Sequence, residues 1–255
     1  VQRKDDYDRL IYDRRPANAT ELRFRWSTLP HGSQLAQLVV PTTWSVRGSL
    51  KDLRAYFFCL SQAPGQLCKN AVGREWGHED FPEMDLNPHD TYYLCLRVQG
   101  MGDLNAVDIA QEVHEHVLRR HGALLEHETL RYGTPVPAGT AWEGVYVDDH
   151  LGLLLYQQTA EGSFPPTNST PRDVAINAAV TEAYRVTVGL EEAKEKVINL
   201  ANHFTAWGTH VDGVRGTAGT ARERRAGLIC ALSVLVAKRV TDPKTCRSYT
   251  SDAAD

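Results

Sequence analysis

Trp142-Glu-Gly-Val-Tyr-Val-Asp-Asp-His-Leu-Gly-Leu-Leu-Leu-Tyr156 reads as strand, two-residue turn, strand. Val145 and Val147 alternate with Gly144 and Tyr146, the period-2 pattern of a pleated strand. Asp148 and Asp149 fall at the turn. Adjacent carboxylates at the tip of a hairpin repel each other, and hard divalent cations, which prefer carboxylate oxygens, relieve that repulsion. Aspartate is also a common former of solvated turns. The rest of the chain decides between the two readings.

With 255 residues the chain can bury a core as one large domain or two to three subdomains. Its 42% hydrophobic and 24% charged content is ordinary for a globular protein. No apolar run approaches a membrane span, and no signal peptide precedes the charged start Val1-Gln-Arg-Lys-Asp-Asp6. That start and the polar end suggest a piece of a longer polyprotein. Cys59, Cys68, Cys95, Cys230 and Cys246 form no CxxC pair, which points to reduced thiols and an intracellular setting, cytoplasmic or nuclear. A net charge of −4 argues against a nucleic-acid binder, but its distribution softens the objection. Arg9, Arg14, Arg15, Arg23 and Arg25 crowd one end, and Arg215, Arg222, Arg224, Arg225, Lys238 and Arg239 the other. Basic arms around an acidic centre suit a site that holds metal ions and a polyanion together.

In chain order, residues 9–12 read as a short strand and Pro16 with Asn18 as a turn. A short helix over 29–40 stops at Pro41. Ser49 to Leu60 is an aromatic-rich buried element, and 63–90 a long irregular insertion. Thr91 to Val98 reads as a strand broken by Gln99-Gly-Met-Gly102, with Asp103 capping the next helix. Ala106, Ile109, Ala110, Val113 and Val117 define that helix's expected buried face, leaving His114 and His116 on the surface. Residues 163–171 are a loop and Arg172 to Arg185 a helix. Ala193, Val197, Leu200, Ala201 and Phe204 predict a second amphipathic helix ending at Trp207-Gly208. Short strands around 209–219 precede a basic-then-apolar helix over 221–240.

Strand, helix, acidic hairpin and helix after an acidic aromatic element form a split βαβ arrangement, which would bring Asp52 beside Asp148 and Asp149. Such sheets host many functions, so the fold alone does not assign one.

Tyr146-Val-Asp-Asp149 resembles the central YxDD motif of reverse transcriptases, whose two aspartates bind metal. Four further blocks follow the same family order. Arg9-Leu-Ile-Tyr-Asp-Arg-Arg-Pro-Ala-Asn18 is similar to the fingers motif, whose first arginine contacts the incoming triphosphate. Gln99-Gly-Met-Gly102 with Gln111 resembles the block lining the template and nucleotide pocket. Lys196, twelve residues before Gly208, has the spacing of the lysine ahead of the primer grip, which here reads Ala206-Trp-Gly208. The Ile11-Tyr-Asp-Arg-Arg-Pro16 and Met101-Gly-Asp-Leu-Asn-Ala-Val-Asp-Ile-Ala-Gln111 runs narrow the resemblance to retroelement polymerases such as those abundant in dinoflagellate genomes.

The resemblance implies an α+β right-hand polymerase: fingers over 1–47, a ferredoxin-like palm over 48–219 with insertions near 63–90 and 160–171, and the start of a thumb over 220–255. It implies RNA-directed DNA synthesis on a primed RNA or DNA template from deoxynucleoside triphosphates, with two Mg²⁺ ions or Mn²⁺ on Asp52, Asp148 and Asp149. Arg9, Tyr56, Phe57, Gln111 and Lys196 are then expected around the nucleotide, with Tyr56 or Phe57 blocking a ribose 2′-hydroxyl. Arg15, Asn18, Gly102, Tyr146, Trp207 and Gly208 are expected along template and primer. No RNase H or integrase block follows.

One departure leaves the catalytic reading open. In the family's first acidic block an aspartate lies five positions before an aromatic residue that follows a small one. Counting back from Phe57 lands on Asp52, whereas counting back from Tyr56, which does follow the small Ala55, lands on Lys51. A lysine in that slot would remove a bridging carboxylate and leave a remnant that at most binds nucleic acid. A small-molecule domain with a chance Asp-Asp hairpin is the reading from a different class.

Overall fold

The computed structural model describes residues 13–24, 28–158, 170–220 and 222–238, with the backbone of 2–4 and 7–9. In chain order the elements are β1 (Gln2–Lys4), β2 (Tyr7–Arg9), α1 (Arg15–Asn18), β3 (Trp44–Asp52), α2 (Tyr56–Cys59), β4 (Ala71–Trp76), β5 (Tyr92–Cys95) and α3 (Ala106–Arg120). Then come β6 (Ala141–Tyr146), β7 (Asp149–Gln157), α4 (Arg172–Val186), β8 (Ile198–Ala201), β9 (His203–Ala206), β10 (Thr209–Asp212), β11 (Thr217–Thr220) and α5 (Arg222–Lys238).

A four-stranded antiparallel sheet in the order β6-β7-β3-β8 lies at the centre. With α3 between β3 and β6 and α4 between β7 and β8, the connectivity is β-α-β-β-α-β, the ferredoxin-like split βαβ unit. Its first strand is β3, a single run through Gly48. The strand expected over 91–98 shrinks to β5, which pairs with β4 in a separate two-stranded sheet. The expected irregular insertion over 63–90 is therefore partly ordered: a 3-10 turn at Pro64–Asn70 leads into β4, and Trp76 packs on Phe81 with Arg74 over its ring.

Alternation divides the sheet into two faces. On one, α3 and α4 cover Val145 and Gly152, closing a core with Leu118, Ile176, Val180 and Tyr184. On the other, Val46, Leu151, Leu153 and Phe204 meet a three-stranded sheet β11-β10-β9 and the 3-10 turn Gly32–Gln37. Two close approaches need glycine. A Cβ at Gly48 would sit 2.7 Å from the Phe204 ring, and one at Gly144 would sit 2.5 Å from Trp207.

Several sequence expectations change. Pro16 starts a one-turn helix, α1, instead of a turn. The helix expected from Leu190 is a 3-10 turn at Lys194–Lys196 followed by strands β8 and β9. Its apolar spacing mimicked helical periodicity, yet β8 completes the sheet edge beside β3, where ladder bonds outweigh local propensity. Trp207-Gly208, with φ of +48° and +70°, is the tight turn joining β9 to β10. On α3, Val113 is exposed, and the buried stripe is Ala106, Ala110, His114 and Leu118, flanked by Gln111 and Glu115. Residues 239–255, 10–12 and 159–169 lie outside the described residues. So do Cys246, the side chain of Arg9 and most of the expected 160–171 insertion. Cys59, Cys68, Cys95 and Cys230 are free thiols, and among the described residues no helix is long and apolar enough to cross a membrane.

Candidate active site

The β3–β7 register brings Asp52 directly opposite Asp149, and Lys51 opposite His150. Neighbouring residues on a strand point to opposite faces, so Asp52 and Lys51 cannot both face the hairpin carboxylates. Asp52 does. Lys51 turns to the helical face, where its ammonium donates to Thr181 Oγ1 on α4 (2.8 Å) and to Glu192 (2.7 Å). It is a buried structural cation, and Lys51→Ala is expected to cost about 2–4 kcal/mol in urea unfolding, because Glu192 loses its partner and a cavity opens.

The hairpin turn comprises Val147 and Asp148, one residue earlier than the Asp-Asp pair itself. Asp149 opens the returning strand opposite Tyr146. Val147 has φ +57°, a left-handed conformation that costs a β-branched residue about 1–2 kcal/mol. Asp148's carbonyl accepts from the Leu53 amide at 3.0 Å, extending the ladder beyond Asp52. The Ala193 amide donates to the Asp52 carbonyl at 2.8 Å, so the segment after α4 runs along the end of β3. That path delivers Lys196, whose ammonium donates to Asp52 Oδ2 at 2.7 Å. The structure thus gathers Asp52, Asp148, Asp149 and Lys196 from separate stretches of chain.

Like charges and burial make this cluster costly as three anions. Burial, reinforced by a hydrogen bond with Asp52 and the charges of Asp148 and Asp52, pushes the Asp149 carboxyl up to about 7, with Lys196 partly opposing. Burial, with the Asp52 charge, also raises Asp148. Lys196 is raised in turn by its hydrogen bond to Asp52. Among the described residues no group of three or more His, Cys, Asp or Glu side chains stands in a metal-holding arrangement. Carboxylate oxygens are the donors a hard divalent cation takes; here Asp52 and Asp149 stand on adjoining strands with Asp148 at the turn, and burial disfavours Asp148 and Asp149 as anions.

The remaining expected residues divide into several groups. Tyr56 is buried, donates its hydroxyl to the Ala110 carbonyl (2.9 Å), and has its phenol raised by burial. Phe57 is half-buried beside it, packed against the same core. Gln111 does not line an open pocket. It is buried beneath the hairpin, accepting from the Val147 amide (2.8 Å) and donating to the Val145 carbonyl (2.7 Å). Asn18 bridges to the Gly102 carbonyl (2.9 Å) and the Leu104 amide (2.9 Å), tying α1 to the loop at 99–104. Arg15 is exposed and paired with Asp13. Tyr146 borders a cavity of about 300 Å³ with Pro30, His31 and Tyr132. Trp207 is seated against Gly144, on the strand that leads into the hairpin tip.

Sequence reasoning missed three features. Arg14 pairs with Asp103 and donates to Asn70 Oδ1 (2.8 Å), so Asp103 organises the loop instead of capping α3, accepting from the Gly100 amide at 2.9 Å. His114, expected at the surface, is fully buried, and the buried Glu143 on β6 pairs with the buried His150 (3.1 Å) and the half-buried Arg172 (3.4 Å). The polar residues on α3 at helical spacing with Ala110 carried this signal: a helix that buries polar groups must supply hydrogen bonds to something beneath it.

No protein-family model matches the chain, and no curated protein does. Among solved structures it is similar to a foamy viral protease-reverse transcriptase determined in complex with double-stranded DNA. The TM-score is 0.57 at 16% identity, over 98% of this chain and 33% of that one. The chain therefore has a reverse-transcriptase-like fold and spans about a third of the length of that protein.

Proposed function

We propose that the chain is the polymerase part of an RNA-directed DNA polymerase, with fingers, a palm built on the β6-β7-β3-β8 sheet and the start of a thumb. The observation that carries the reading is the placement of Asp52 opposite Asp149, next to Asp148 at a turn, on a β-α-β-β-α-β sheet of reverse-transcriptase-like fold. A retroelement origin rests on the sequence runs alone.

Asp52, Asp148 and Asp149 would hold two Mg²⁺ ions, or Mn²⁺, which when bound activate the primer 3′-hydroxyl and neutralise the leaving pyrophosphate. The chain's own residues do the rest. Asp52 and Asp149, fixed by ladder pairing, present carboxylate oxygens from rigid strands. Lys196 holds a proton on its ammonium at Asp52, beside the carboxylates, where it offsets negative charge. The half-buried Phe57 supplies a wall near the end of β3 on which a ribose can be sorted by shape. Template and primer are held through backbone charge, so binding weakens steeply with added salt.

The test is extension of a labelled primer on an RNA template with deoxynucleoside triphosphates and Mg²⁺ or Mn²⁺. Metal-dependent extension supports the reading, and its absence from a longer chain containing these residues rejects it. One observation favours an inactive nucleic-acid-binding form: Lys196 occupies an oxygen of Asp52 that a cation would need. In that case the salt-dependent binding persists without extension.

A further inference from the structure

The strained Val147–Asp148 turn is held from below by two helices. Gln111 of α3 takes the Val147 amide, and His114 Nδ1 lies 2.8 Å from the Val147 carbonyl. His114 Nε2 lies 2.8 Å from the Tyr184 hydroxyl on α4. Both His114 and Tyr184 are buried. A carbonyl only accepts, so Nδ1 must carry the ring proton; Nε2 is then the acceptor and the Tyr184 hydroxyl must donate to it. The chain of bonds runs one way: Tyr184 O–H to His114, then His114 N–H to Val147 C=O.

We infer that His114 and Tyr184 are positioning residues that clamp the Val147–Asp148 peptide and thereby set the direction of the Asp148 carboxylate. The Val147 carbonyl belongs to the same rigid peptide unit as the Asp148 amide, so fixing its oxygen fixes the plane from which the Asp148 Cα departs. Gln111 holds the preceding peptide at the Val147 amide and Leu53 the following one at the Asp148 carbonyl, so His114 is the side chain that bonds to the peptide between them. Burial keeps the His114 ring neutral, down to about 3, so the tautomer and the direction of the relay persist at ordinary pH. Because α4 supplies Tyr184 and α3 supplies His114, the turn's geometry depends on how the two helices pack together. The clamp rests on the metal-binding role proposed for Asp148 only in its consequence and is otherwise independent of it.

The experiment compares full-chain wild type, His114→Phe, His114→Gln and Tyr184→Phe by two readouts. One is hydrogen exchange across the turn; the other is Mn²⁺ affinity by paramagnetic resonance, with thermal unfolding confirming a folded state. His114→Phe and Tyr184→Phe are expected to speed exchange at the turn at least tenfold and weaken Mn²⁺ binding about tenfold. His114→Gln, whose amide can donate to the carbonyl and accept from Tyr184, is expected to restore both. Unchanged exchange in folded His114→Phe overturns the clamp, as does a folded His114→Gln that behaves like His114→Phe. If wild type binds no Mn²⁺, the proposed function fails, while the exchange data still decide the clamp.

Discussion

Asp149→Asn is expected to reduce metal-dependent primer extension by about a thousandfold or more, with the fold retained. The size follows from what is removed. Asp149 is the cross-strand partner of Asp52, so its carboxylate stands where the two acidic stretches meet. Catalysis of this kind depends above all on stabilising charge at the attacking and leaving oxygens. One lost donor costs about 3–4 kcal/mol, or two to three orders of magnitude, and loss of a carboxylate that would hold the metal should exceed that. The fold should tolerate the change, because an amide keeps the side chain's volume and removes a charge that burial already disfavours. Thermal unfolding of the variant should stay close to wild type at mildly acidic pH, where Asp149 is neutral, and exceed it above neutrality. Asp52→Asn should behave alike in extension, and in addition removes the negative charge that pairs with the Lys196 ammonium. Lys51→Ala separates the two registers cleanly: stability falls while the metal affinity of the folded protein stays near wild type, the opposite of what a catalytic position would show.

The second large effect is pH dependence. With its carboxyl pushed up to about 7, Asp149 takes up a proton near neutrality in the metal-free protein. The folded value lies above the ordinary 3.8. The folded state therefore binds more protons than the unfolded chain between about pH 4 and 7. Asp149's contribution to stability is fully present below the unfolded value, falls as pH rises through 7 and then levels off. Between pH 5 and 7.5 the metal-free wild type should lose about 2–3 kcal/mol relative to Asp149→Asn in urea titrations. The proposed cation binding should show the reverse profile. Protons compete with metal for the same oxygens, so Mn²⁺ affinity should climb roughly tenfold per pH unit up to about 7 and then plateau. A flat affinity profile from pH 5 to 8 would show that Asp149 is charged throughout and that the cluster is less crowded than its geometry implies.

The hairpin, α3 and α4 were legible from local pattern because each is a long element with a single dominant periodicity. Three other elements were not, for separate reasons. The element expected from Ser49 starts earlier, as β3 from Trp44 through Gly48, where the Phe204 ring takes the space that a side chain would fill. Ala193, Val197 and Leu200 fell at helical spacing, but the stretch lies along the free edge of β3, whose unpaired groups recruit Leu53–Glu192 and β8 pairing. Residues 91–98 read as a strand and were assigned to the wrong sheet, since strand propensity carries no information about the partner. In the site, Asp148 and Asp149 announce themselves by adjacency. Asp52 and Lys51 are chemically opposite neighbours, and only the register with β7 decides which one faces the acids. His114 was assigned to the surface, whereas the Val147 carbonyl at the strained turn and the Tyr184 hydroxyl on α4 supply the hydrogen bonds that allow its burial.

The central claim is that Asp52, Asp148 and Asp149 form one cation-binding cluster. Titration of the full chain with Mn²⁺ at pH 7.5, followed by paramagnetic resonance, tests it most directly. Wild type and Lys51→Ala are expected to bind Mn²⁺ alike, while Asp52→Asn, Asp148→Asn and Asp149→Asn each lose at least tenfold in affinity. Wild-type binding that survives Asp52→Asn unchanged, or no binding at millimolar Mn²⁺, would contradict it.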